Sequence, residues 1–221
     1  NNLQHHLWWH CALYHLEQGE YDRVLALYDE GFRNLASPLT QAAPDTYIDV
    51  QNAASMLFRL GLQGVAVGER WQELADHAEA RIGDTLSAFT LPHWVMALMA
   101  AGRGDAARRM LDAMRAASNN PGTTARIVAD YAVPVSEAVR LHGEGQYDAA
   151  VERMLPVIGG MYRMGGSHAQ QDVLEQMFLD AATRAKREDA AKLVAERVAA
   201  RRPIPLSRLA GWRRAAQFVA T

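Results

Sequence analysis

Apolar residues along this chain return every three to four positions in segment after segment, without the alternation that marks a half-buried strand. On a helix that period gathers the apolar side chains onto one face, so the pattern predicts an all-α chain of about eleven helices. The first two span residues 3 to 18 and 21 to 33 and end at Ser37-Pro38, after which a loop runs to Pro44-Asp45. Asp45 or Thr46 is the expected cap of a third helix, 47 to 60, whose Ile48, Ala53, Met56, Leu57 and Leu60 share a face. A turn from Gly61 to Gly68 leads to a fourth helix with Trp71, Leu74, Ala75 and Ala78, which ends near Gly83. The fifth, 91 to 101, carries Pro92 in its first turn, where the amide that proline lacks has no helical partner anyway. Gly102 and Gly104 open a sixth, 105 to 117.

Asn119-Asn120-Pro121-Gly122 is a strong break that divides the chain into an N-terminal half, 1–118, and a C-terminal half, 119–221, of one continuous array. Beyond it, Thr124 to Tyr131 is short, Pro134 restarts a helix to His142, and Gly145-Gln146-Tyr147 leads into another. Pro156 should kink that one, because a proline inside a helix removes a backbone bond at a cost of roughly 3 kcal/mol. After Gly165-Gly166, Ser167 and Gln170 have the spacing of a capping box, in which each side chain satisfies the other residue's free amide. Helices over 168 to 185, 188 to 201 and 206 to 220 complete the chain, with Arg202-Pro203-Ile204-Pro205 as a stiff link.

The helices pair. Similar turns stand at Gly19-Glu20-Tyr21, Gly102-Arg103-Gly104, Gly145-Gln146-Tyr147 and Lys186-Arg187-Glu188, with a poorer one around Gly68. A small residue follows each of the four where the second helix must approach the first: Val24, Ala107, Ala150 and Ala191. This resembles the tetratricopeptide repeat, a helical hairpin of about 34 residues. The resemblance implies an α-solenoid of degenerate, lengthened hairpins.

Composition fits that picture, since Ala, Leu, Glu, Arg and Gln lose little side-chain freedom on a helix. A formal charge of −2 and a pI near 6.5 give no field for a nucleic-acid backbone, so no nucleic-acid partner is expected. The single Cys11 cannot close an internal disulfide and reads as a small core residue, which fits a reducing compartment. No apolar run reaches the ~18 residues of a membrane span. A cytoplasmic protein without a membrane partner is the expectation. The abrupt start, without an initiator Met, reads as a fragment whose N-terminal part is missing.

Three stretches carry a closer resemblance: HHLWWHCALYHLEQGEYDRVLALYDE from His5, NAASMLFRLGLQGVAVGERWQELA from Asn52, and MGGSHAQQDVLEQMFLDAA from Met164. In that order they resemble the family of tetratricopeptide repeat protein 38 and its bacterial relatives. Members are about twice as long, so the chain would correspond to their C-terminal half. The resemblance implies a fold but no established reaction. Where members carry an acidic residue two before the position of His93, this chain has Leu91, which would alter any site relying on that acid.

The first helix holds four of the eight histidines and two of the five tryptophans. His6 and His10, four apart, share a face at a spacing found in zinc sites, but a third ligand and the Glu of a HExxH motif are missing, so neither a metal nor a cofactor is predicted. The bland reading packs these histidines and Cys11 beside Trp side chains. In peptide-binding repeats the second and sixth positions of each first helix face the concave groove, which here are His6, His10, Ser55, Arg59, Phe89, His93, Ala132, Ser136, Val173 and Met177. Trp9 and Phe58 flank them. A donor-rich groove with His6, Trp9, His10, Arg59 and His93 suits a carboxylate-bearing peptide or a small anion. Histidine protonation near pH ~6.5 should then tune affinity. His168 and Asp172 lie one turn apart, so the carboxylate could orient the imidazole behind a helix start that offers amides to an anion. The expected activity is a tetratricopeptide-like binding module for a protein segment or small acidic ligand. The alternative is an enzyme whose histidine-rich site is completed by a missing N-terminal half. An uncovered first helix with Leu7 and Trp8 predicts self-association through that end.

Overall fold

A computed structural model describes residues 2–218, and 73% of the chain is helical. Among the described residues there are twelve α-helices and no strand. They are α1 (Asn2–Gln18), α2 (Tyr21–Leu27), α3 (Pro38–Ala42), α4 (Tyr47–Leu62), α5 (Arg70–Ala80), α6 (Leu91–Ala100), α7 (Gly104–Ala117), α8 (Thr123–Ile127), α9 (Val133–Gly143), α10 (Tyr147–Met154), α11 (His168–Arg184) and α12 (Glu188–Ala199). No described helix is long and apolar enough to cross a membrane.

The same turn joins the helices of five hairpins: α1/α2, α4/α5, α6/α7, α9/α10 and α11/α12. In each, the residue after a left-handed position donates its amide five residues back, as Glu20 to His15, Val65 to Leu60, Arg103 to Leu98, Gln146 to Leu141 and Arg187 to Ala182. This closes the last turn of the helix and occupies one of its orphan carbonyls. Glycine fills the left-handed position four times, at Gly19, Gly64, Gly102 and Gly145, while Lys186 holds it in the last hairpin at a φ of 58°. The second hairpin therefore turns at Gly64 and not around Gly68. Val24, Ala107, Ala150 and Ala191 are fully buried at the crossings, where a larger side chain would push the helices apart.

Several elements depart from the expectation. Neither Asp45 nor Thr46 caps α4 through its side chain, because Asp45 pairs with Arg81 and the Thr46 hydroxyl turns back to the Ala43 carbonyl. The expected loop contains α3, capped by Ser37 on Thr40. Pro134 does not restart a helix: α8 runs into α9 through a π turn over Val128–Ala132, which takes up the bond that the proline cannot make. The chain splits where Pro156 was expected to kink it, with α10 ending at Met154. The capping box forms as predicted. The final segment is 3₁₀ over Ala210–Phe218, and its expected end at 219–220 lies outside the described residues. Cys11 is exposed, a correction that follows from its place on the outer face of α1 with Leu7 and Trp8.

The first helices pack in succession, α1 on α4, α4 on α6 and α6 on α9, with α10 and α12 against α11. Two contacts then join distant parts of the chain. Helix α11 packs on α4, bringing together residues 113 apart, and the Ala210 amide donates to Glu17 on α1 across 193 residues at 2.5 Å. Helix α11 thus lies at the centre, buried on every side from Gln170 to Ala182.

Candidate functional site

Helices α1, α4 and α11 meet in a line of polar contacts that runs from the surface to the centre. Its outer end is His6 and His10, whose Nε2 atoms are 3.2 Å apart. Asn52 presents its amide nitrogen to His6 Nδ1 at 3.3 Å. That nitrogen must then accept, so His6 carries its proton on Nε2 and donates it to His10. Partial burial, followed by the charge a protonated His6 would bring, holds His10 below its ordinary value.

Beneath the histidines lies Trp9, fully buried, with the His6 ring stacked on it at 5.4 Å and its indole nitrogen donating to the Ser55 hydroxyl at 3.2 Å. The Arg59 guanidinium stands 5.9 Å from the Trp9 ring and reaches across to α11, donating to the Ala169 carbonyl at 2.8 Å and to Asp172 at 3.5 Å. Burial pulls the Arg59 pKa down and Asp172 offsets part of that. A guanidinium still keeps its proton in a protein. The Asp172 carboxylate is shared, for it also accepts from Gln176 at 2.5 Å, from the Trp212 indole at 2.9 Å and from Arg202. The Glu17 carboxylate also lies near enough to Arg59 for its charge to act on it.

A second polar line enters from α6. Gln51 donates to Thr90 at 2.8 Å and accepts from Gln170 on α11 at 3.3 Å. His93, fully buried, donates from Nδ1 to the Phe89 carbonyl at 2.9 Å, which leaves Nε2 a bare acceptor without a partner. Burial pushes its pKa down to about 4, the Phe89 bond resists the shift, and the charge of Arg59 adds to it. The expected charging of His93 and His10 near pH ~6.5 is therefore corrected, since each is held neutral below that pH.

The structure joins His6, Trp9, His10, Arg59 and Asp172 in one contact chain, with His93 near enough to Arg59 to feel its charge. His168 stands apart, exposed in the first turn of α11. It does not pair with Asp172, whose oxygens are taken by Arg59, Gln176, Trp212 and Arg202. Of the other groove positions, Ser55, Phe89, Ala132, Ser136, Val173 and Met177 are all buried, and Ser136 Oγ has no partner. Sequence reasoning passed over Asn52, Gln51, Gln170 and Gln176, because an amide becomes a site residue only through partners that folding supplies. It also passed over Trp212 and read Arg202 only as part of the stiff link 202–205. No group of three or more His, Cys, Asp or Glu among the described residues is placed to hold a metal ion. No protein-family model matches the chain, and no solved structure matches it.

Proposed function

We propose that the chain is a tetratricopeptide-like binding module of the tetratricopeptide repeat protein 38 family, its five hairpins wound as a solenoid around α11. Its inner lining receives a protein segment through the end marked by His6 and His10. One observation carries this reading. Among the described residues seven buried side-chain atoms lack a hydrogen-bond partner, and six of them, Asp49 Oδ1, Asn52 Oδ1, His93 Nε2, Ser136 Oγ, Gln171 Oε1 and Gln176 Oε1, belong to α4, α6, α9 and α11, the seventh being the Tyr28 hydroxyl just after α2. Each such group costs about 1–3 kcal/mol, more than a packing interface needs to bear. Of the six, all but the Ser136 hydroxyl can only accept, so the partner must bring N–H or O–H donors. A peptide backbone brings them.

The enzymatic alternative rests on His93 Nε2, an unprotonated imidazole nitrogen in the interior. With a pKa of about 4 it is a weak base at neutral pH, which favours the binding reading.

The test is an array of overlapping acidic peptides, with hits titrated by calorimetry. His10→Ala should lower affinity about fivefold, the effect of one neutral hydrogen bond of about 1 kcal/mol. Arg108→Ala on the outer helix α7 should change nothing. Equal losses at His10 and Arg108 would overturn the reading.

A further inference from the structure

A separate cleft of about 420 Å³ opens where the end of α4, the second half of α11 and the segment Ala210–Arg214 meet. Its size falls within the range of small-ligand sites. Gln63, Gln176, Asp180, Arg184, Arg213 and Arg214 line it, and of these only Gln176, through its bond to Asp172, touches the histidine-marked line of contacts just described.

The charge in this cleft is lopsided. Asp180 is its single acid and is already engaged, accepting from His142 Nε2 at 2.8 Å and from Arg184 Nε at 2.8 Å. Burial alone would raise the Asp180 pKa, but His142 and Arg184 outweigh it and hold the carboxyl below its ordinary value. Arg184 is fixed further by Tyr147, whose ring lies 5.1 Å from the guanidinium and whose hydroxyl accepts from it at 3.3 Å. Asp180 therefore neutralises Arg184. Arg213 and Arg214 have no hydrogen-bond or ion-pair partner among the described residues. Two unpaired positive charges remain, side by side on one 3₁₀ segment.

The cleft is built and not merely a gap between side chains. Gln63 ties two of its walls together by donating to the Ala210 carbonyl at 3.3 Å. Gln176, 4% exposed, lies so tightly under Gly211 that a Cβ there would come within 2.3 Å of its amide. Its Nε2 holds Asp172 while its Oε1 has no partner. The end of α4 opposes an anion through its carbonyls, yet those of Leu60 and Gly61 are occupied by the amides of Val65 and Gly64.

We propose that this cleft is an oxyanion site for a small dianion, a phosphate or a dicarboxylate, held between Arg213, Arg214 and the free Nη2 of Arg184. Guanidiniums present paired donors to such planar or tetrahedral oxyanions. The three guanidiniums that would hold the anion, Arg184, Arg213 and Arg214, take no part in the peptide-binding reading.

Calorimetry on the full chain at low salt, with inorganic phosphate and with succinate as separate probes, tests it. At least one probe should bind. The double variant Arg213→Gln/Arg214→Gln should weaken that binding at least about tenfold, the loss expected when hydrogen bonds to a charged group are removed. Its melting temperature should not change, since both side chains are exposed and unpaired. His10→Ala should leave the affinity as it is, so that failure here and failure of the peptide reading are told apart. Which probe binds identifies the oxyanion. Binding of neither at millimolar concentration, or equal binding by wild type and the double variant, would overturn the proposal.

Discussion

Helices α1 and α11 are each 17 residues long, and they invert the usual partition of side chains in opposite directions. Helix α1 turns Leu3, Leu7, Trp8 and Tyr14 outward, at 61%, 56%, 41% and 64% exposure. Helix α11 buries Gln170, Gln171, Asp172, Glu175, Gln176 and Asp180. The second inversion is stable because neighbouring segments supply the missing partners: Arg59, Arg202 and Trp212 for Asp172, Arg197 and Arg201 for Glu175, His142 and Arg184 for Asp180. A buried charge thus marks where distant parts of the chain converge. Among the described residues, no such cover lies over Leu7, Trp8 and Tyr14, which remain exposed. An exposed apolar face of this kind is the place to look for a docking partner.

The largest effect follows from the centre of α11. Asp172→Ala would leave the buried Arg59 guanidinium uncompensated and strip Trp212 of its acceptor, at a cost of about 3–5 kcal/mol. Glu175→Ala removes a carboxylate just as buried, but Arg197 and Arg201 are partly exposed and can turn to water. Its cost should be clearly smaller. Urea unfolding of the two variants measures the difference, and equal losses would mean that Arg59 finds another partner or that Asp172 is not the hub.

Much of this arrangement can be read in the sequence, and the boundary of what can is physical. The hairpin turns are legible because a left-handed residue after a helix nearly demands glycine, and the crossings because close approach demands Val24, Ala107, Ala150 or Ala191. The second turn was misplaced because Gly64 and Gly68 both take positive φ and only the bond from Val65 to Leu60 shows which one ends α4. His6 and His10 stand out by their spacing on one helix. The partners of Asp172 do not, because they come from α4 and from residues 202 and 212, and no local pattern records such distances. His168 had the right spacing for Asp172, yet the carboxylate went to stronger donors in the interior.

Next in size is the pH response of the core. An unfolded histidine takes a proton near pH 6.5, whereas His93 in the folded chain holds out to about 4. Between those values the unfolded state binds the proton and the folded state does not, so stability falls as pH drops through that window. The full difference amounts to about 3 kcal/mol. His93→Gln keeps a donor for the Phe89 carbonyl and removes the titration. Urea midpoints measured from pH 7 to 4.5 should fall more steeply for wild type than for His93→Gln. Parallel curves would show that other groups carry the acid sensitivity.

The smallest effect on stability, and the sharpest test of the other inversion, lies on α1. Leu7 and Cys11 line an open, almost wholly apolar depression with Leu3 and Trp8. Trp8 is anchored over Gly31, where a Cβ would come within 3.3 Å of its ring, so the depression has a fixed floor. The self-association expected from the sequence would use this face, and it is tested directly. Sedimentation under reducing conditions, which keep the exposed Cys11 from forming a covalent link, should show mass rising with concentration. The double variant Leu7→Lys/Cys11→Ser should sediment as a monomer. Its unfolding free energy should stay within about 0.5 kcal/mol of wild type, as for surface substitutions generally. A wild type that remains monomeric at millimolar concentration would mean that the exposed face of α1 serves some other partner, and that exposure of Leu7 and Trp8 does not by itself drive this chain to pair.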